Sequence, residues 1–122
     1  GGYDGTAYRN VVQYAPINAN VTIGTWATTT AFPTARSGHT MVAHNANLYI
    51  IGGYTMGAAY RNDVQVAPIN GDGTIGTWRA TTSFTAVRGN HASFVHNNRL
   101  YVLAGTDSAG GRADVQSAPI LP

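Results

Sequence analysis

One phrase occurs almost twice over in this chain. YRNDVQVAPINGDGTIGTW, from Tyr60 to Trp78, restates YRNVVQYAPINANVTIGTW, from Tyr8 to Trp26, and GRADVQSAPILP at residues 111–122 opens it a third time. The correspondence extends beyond the phrase. Arg36 and His39 in ARSGHTMVAHN answer to Arg88 and His91 in VRGNHASFVHN, and NLYIIGG at Asn47–Gly53 answers to RLYVLAG at Arg99–Gly105. Equivalent residues lie 51 or 52 positions apart. A period near fifty residues makes each repeat one supersecondary unit that buries its apolar faces against its neighbours. That period constrains the fold more than any other feature.

Within a period the apolar runs are short and bounded by turn signals. HTMVAHN from His39, NLYIIGG from Asn47, NDVQVAPI from Asn62 and GTWRATTSF from Gly76 read as four strands. HNAN, GGYTMGAAYRN and NGDGT separate them as turns. Nothing sustains a helical period. Fifteen glycines and a hydrophobic fraction of 43% fit many short strands around a packed core. No apolar run is long enough for a membrane-spanning helix, and no membrane partner is expected.

The Gly52-Gly53 doublet after the second strand, Tyr60 downstream and Trp78 further on resemble a kelch repeat; RSGH before the first strand and the order GGY…Y.NDV…W are similar to bacterial kelch-type propellers. The resemblance implies an all-β fold: kelch-type β-propeller blades of four antiparallel strands, in an incomplete propeller of about two and a half blades. The expected division is 1–33 as third and fourth strands, 34–85 as a complete blade and 86–122 as the first three strands. The third copy departs from the pattern, with Ala104-Gly105 in place of the glycine pair. Open blades need neighbours. The expected partners are therefore further blades of a longer chain or of identical chains.

Charge excludes several functions. All seven basic residues are Arg and all five acids are Asp, with a net charge of +2 and no cysteine. The arginines are spread at repeat spacing, so nucleic acid is not an expected partner. There is no thiolate metal site, and no catalytic signature such as a nucleophile elbow, a P-loop or paired carboxylates. Kelch-like copper-radical oxidases use a cysteine-linked tyrosine, which this chain cannot form. No cofactor and no metal are expected. His44 and His96 read as turn residues, and the one Asp of NGDGT does not make a calcium loop.

Two groups of candidate ligand-binding residues stand out. Arg36, His39, Arg88 and His91 precede the innermost strands, near a propeller's funnel. Arg could hold a carboxylate or sugar hydroxyls and His could move a proton; their recurrence also fits residues that tie blades together. The loops after the second strand differ most between copies, and they offer Tyr3, Tyr54, Arg61 and Arg112 as contact groups. The expected function is a non-catalytic kelch-type binding module for a protein or carbohydrate. The alternative is part of a sugar-binding protein or an enzyme similar to the kelch-type sialic acid mutarotases.

Overall fold

The computed structural model describes residues 1–122 and contains no helix. Strands β1 (Gly2–Tyr3) and β2 (Tyr8–Arg9) form a hairpin, and β3 (Val12–Tyr14) pairs with β4 (Ala27–Thr29). Then come β5 (Thr40–His44), β6 (Asn47–Thr55), β7 (Ala59–Pro68) and β8 (Arg79–Thr81), which make a four-stranded antiparallel meander in that order. Finally, β9 (Ala92–His96), β10 (Arg99–Leu103) and β13 (Val115–Pro119) form a three-stranded sheet in the order β9-β10-β13. Its excursion is the hairpin of β11 (Thr106–Asp107) and β12 (Gly110–Gly111). The fold is all-β, built from small antiparallel sheets of which none is closed.

β6 explains why its segment is a continuous apolar run. Leu48 and Ile50 point to one face of the central sheet, and Tyr49 and Ile51 to the other. The first pair joins Phe32, Ala67, Ile75 and Trp78 in one core cluster. The second joins Val64, Val66 and Val102 in another, with Phe84 and Leu100 packed on it. The central sheet is thus buried on both sides, between the first sheet and the last. Each fully buried aliphatic side chain there contributes about 1.5–3 kcal/mol.

Two strands differ from the sequence expectation. β7 starts at Ala59, before Asn62, because β6 continues through the Gly52-Gly53 bend, where the register shifts, and pairs on to Thr55↔Ala59. The regular ladder of the fourth strand is confined to Arg79–Thr81; ahead of it only the Ile69–Ile75 bridge and the Gly76 N–H to Pro68 carbonyl bond join the segment to β7, and Ile75 and Trp78 also bond the neighbouring sheet. Ile75 N–H donates to Thr29 Oγ1 at 2.8 Å, Thr30 Oγ1 donates to the Ile75 carbonyl at 2.6 Å, and Trp78 Nε1 donates to the Thr30 carbonyl at 3.0 Å.

Gly52 needs its hydrogen. Its φ is +57°, and a Cβ there would lie 3.0 Å from the Arg88 carbonyl, His91 Cε1 and Phe84 Cζ. Ala104, its counterpart, also has positive φ, at 58°.

Candidate functional site

Arg36 and Arg88 lie completely buried at equivalent places. Arg36 Nη1 and Nη2 donate to Asp63 Oδ1 and Oδ2 at 2.9 and 3.0 Å, a two-pronged ion pair. Nη1 also donates to the Gly52 carbonyl at 2.9 Å, and Nε to the Thr34 carbonyl at 3.0 Å. Arg88 repeats the pattern on Asp114, at 3.1 and 2.7 Å, and on the carbonyls of Ala104 and Ala86. Backbone bonds run the other way. Arg36 N–H donates to the Arg9 carbonyl and its carbonyl accepts from Gly2; Arg88 does the same with Arg61 and Gly53. Each arginine therefore holds one sheet with its main chain and the next with its side chain.

These contacts set the acid chemistry of Asp63. Burial is the largest single influence and opposes its charge. The Arg36 and Gln65 hydrogen bonds and the positive charges of Arg36 and Arg61 outweigh it and hold the carboxyl at about 2. The Arg88 hydrogen bond, helped by Gln116 and Arg112, holds Asp114 far below the usual carboxylate range against its own burial.

His39 and His91 are the other members of this group. His91 Nε2 lies 2.8 Å from Thr40 Oγ1 of the central sheet, and Nδ1 of both histidines is buried without a hydrogen-bond partner. Burial lowers both imidazoles to about 4. The chain's amino terminus and Arg36 add to the effect at His39, as do Arg88 and His39 at His91. Both rings are neutral at pH 7. Phe32 and Phe84 pack near them, with centroids 5.7 and 6.3 Å away.

The loop candidates divide by strand alternation. Along β7, Tyr60 and Asn62 face one way, and Arg61, Asp63 and Gln65 the other. Arg61 Nε reaches Asp63 at 3.4 Å. Arg112 bonds Asp114 at 3.2 Å and Asp107 at 2.8 Å. These two arginines thus join the Asp63 and Asp114 networks. In the first hairpin, Arg9 is held instead by Asp4, whose carboxylate also accepts from the Thr6 and Ala7 amides.

The tyrosines assemble into something larger. Tyr3 and Tyr8 face each other across the β1–β2 pair with centroids 4.9 Å apart, and Tyr54 and Tyr60 do the same across β6–β7. Tyr8 and Tyr54 bridge the two hairpins at 5.9 Å. The result is a row of four rings, Tyr3–Tyr8–Tyr54–Tyr60, crossing from one repeat to the next. A hollow on the Tyr3–Tyr8 side is lined by Thr6, Thr34 and Met56; another, on the Tyr54–Tyr60 side, by Ser37, Asn90 and Ser108. Met56 is 82% exposed and Tyr3 56%. Partial burial, with Tyr54 and Tyr3 alongside, raises the Tyr8 phenol above its ordinary value. In the third repeat the row ends: Thr106 pairs with Gly111 where the other hairpins pair two tyrosines.

The structure therefore brings together Tyr3 and Tyr54 with two rings that sequence reasoning did not group with them, Tyr8 and Tyr60. The signal was present in the spacing. The hairpin tyrosines are separated by five and six residues, and a tight turn puts such positions opposite one another. No group of three or more acidic or imidazole side chains converges as a metal site. Comparison with models of known protein families gives no match, and comparison with curated proteins gives none.

Proposed function

We propose that this chain is a run of kelch-type propeller blades acting as a non-catalytic binding module, with the tyrosine row as its contact surface. One observation carries the reading: four rings in sequence contact span two repeats and stop at the third. A repeated scaffold residue recurs in every copy; a contact surface breaks the symmetry. Rigid, amphipathic tyrosines beside an adaptable methionine are the side chains that protein contacts favour. Arg36 and Arg88 support the same division. Each guanidinium already makes four hydrogen bonds within the chain, which leaves little for a ligand. The blade reading rests on the fifty-residue period, the four-stranded central meander and Trp78 packed between sheets.

The test is an NMR titration of the labelled chain with a panel of tyrosine-binding peptides and, in parallel, neutral and sialylated oligosaccharides. Shifts confined to Tyr3, Tyr8, Tyr54 and Tyr60, lost in Tyr54→Ala, are the expected result. A shift pattern centred on His39 and His91, with sialylated sugar only, would replace this reading with the mutarotase-like one.

A further inference from the structure

Two turns of this chain share one hydrogen-bond pattern and differ at a position where chemistry is sensitive. The turn after β7 runs Asn70-Gly71-Asp72-Gly73-Thr74, and its counterpart one repeat earlier runs Asn18-Ala19-Asn20-Val21-Thr22. Asn70 N–H donates to the Thr74 carbonyl at 2.8 Å, and Gly73 N–H donates to the Asn70 carbonyl at 2.9 Å. Asn18 makes the same bonds with Thr22 and Val21, at 2.8 and 2.9 Å. The asparagine Nδ2 donates to the threonine Oγ1 at 2.9 Å in the later turn and 3.0 Å in the earlier one. That hydroxyl donates in turn to Oδ1 of Asp72 or Asn20, at 2.6 Å in each. The asparagine is followed by Gly71 in one turn and by Ala19 in the other.

The backbone nitrogen that follows an asparagine is a nucleophile for its side chain. Once hydroxide removes the proton, the nitrogen bonds to Cγ, ammonia leaves and a cyclic imide closes. Water then opens the ring at either carbonyl. One opening gives aspartate; the other gives isoaspartate, with the main chain routed through Cβ and Cγ. The balance is one water in and one ammonia out. A Cβ on the attacking residue crowds this approach, and glycine has none. Asn70 is the one asparagine of the chain followed by glycine. Asn70 and Gly71 are both exposed. The Gly71 N–H makes no hydrogen bond within the chain, and nothing lies within 4 Å of where its Cβ would stand. The two Asp-Gly pairs are closed to the equivalent reaction, because a carboxyl must be protonated to lose its oxygen as water. The Thr74 hydroxyl and amide keep Asp72 ionised, and the Gly73 N–H is already committed to the Asn70 carbonyl. The amides of Ala7 and Thr6, with Arg9, keep Asp4 ionised. We propose that Asn70 is a site of spontaneous covalent modification, converting to isoaspartate and aspartate, and that the Asn18 turn is its resistant copy. The product no longer fits the turn. The Thr74 hydroxyl has a single proton, which Asp72 holds, so a carboxylate at position 70 loses its bond and faces a second carboxylate across that hydroxyl. In isoaspartate the main chain also gains a carbon shortly before Ile75, which is buried in the core.

The experiment incubates the folded chain at mildly alkaline pH and follows Asn70 and Asn18 in the same samples by peptide mapping. The expected result is that the Asn70 peptide gains the mass difference between an amide and an acid and splits into two products. One of them accepts a methyl group from an isoaspartyl carboxyl methyltransferase. Asn18 lags by at least about tenfold, which corresponds to a barrier higher by about 1.4 kcal/mol. Conversion rises in proportion to hydroxide. Gly71→Ala, where the added Cβ meets nothing, gives the Asn70 turn the same following residue as its copy. It slows conversion to the Asn18 rate and leaves the circular dichroism unchanged. Equal rates at Asn70 and Asn18 in the parent chain overturn the proposal. So does an Asn70 that stays intact in the folded chain while a free peptide of residues 68–76, PINGDGTIG, converts, because the turn is then protective. Neither outcome depends on the tyrosine row.

Discussion

His39 and His91 are the residues whose shifted acid chemistry bears on stability nearest neutral pH. Each titrates near 6.5 in the unfolded chain and at about 4 in the folded one. Between those values the unfolded state binds more protons, so stability rises with pH. The contribution is complete above about pH 6.5 and is lost as pH falls through 4. Asp63 acts at lower pH. Its folded value of about 2 against an ordinary 3.8 places its loss below the histidine window. Urea midpoints measured from pH 7.5 down to 3 should therefore start to fall near 6.5, well before any carboxylate titrates. His91→Gln should flatten the slope between 6.5 and 4 and leave the steeper acid limb in place. A flat profile down to pH 4 would mean that the imidazoles accept protons without cost. The sequence made these residues visible as a repeated polar pair, but not their state. Burial and the Thr40 contact come from the adjoining sheet, which lies 51 residues away for that pair.

At the scale of elements, the arginines decide how sheets are joined. Asp63 has a side-chain exposure of 16% and Asp114 of 35%. Arg36→Ala leaves the largely buried Asp63 carboxylate with only Arg61 and Gln65 and should cost about 3 kcal/mol in urea unfolding. Arg88→Ala should cost less, because water reaches Asp114. Arg36→Lys keeps the charge but loses the planar fork, and it should fall closer to alanine than to the parent. Equal losses at the two sites would show that burial of the acid does not set the cost. The strands themselves were legible from alternation and turn residues, since both are local signals. Their ends were not. β7 begins three residues earlier than its apolar pattern because the glycine bend of β6 extends the hairpin. Ahead of the β8 ladder, Ile75 and Trp78 also exchange hydrogen bonds with Thr29 and Thr30 of the previous sheet. A repeat period announces that neighbours exist, yet no local pattern tells which backbone groups they will claim. For the same reason the tyrosine row was half visible: Tyr3 and Tyr54 stood out as loop residues, while the 5.9 Å bridge from Tyr8 to Tyr54 exists only once two repeats are stacked.

The whole molecule has one well-covered sheet between two half-covered ones. Of the 18 buried residues, those of β6 and β7 make up the greater part, and both core clusters draw on them. The first sheet has two short strands and leaves Ile17, Ile23 and Trp26 in water. In the last, only Val102 of β10 is deeply buried, and β13 has a free edge. In a stack of repeats, stability is close to a sum of each unit's own term and its interfaces with its neighbours. The central sheet has two interfaces and each outer one has a single interface. Amide hydrogen exchange should therefore be graded, because the units open separately when their interfaces differ. Protection should be highest at Leu48–Ile51 and Val64–Ala67, lower in β9 and β10, and lowest in β1 to β4. Uniform protection across the three sheets would mean that the arginine and tryptophan ties fuse them into one cooperative unit. The outer sheets would then open only when the centre does. A graded profile would mean that the outer sheets open at a cost below that of unfolding the whole chain.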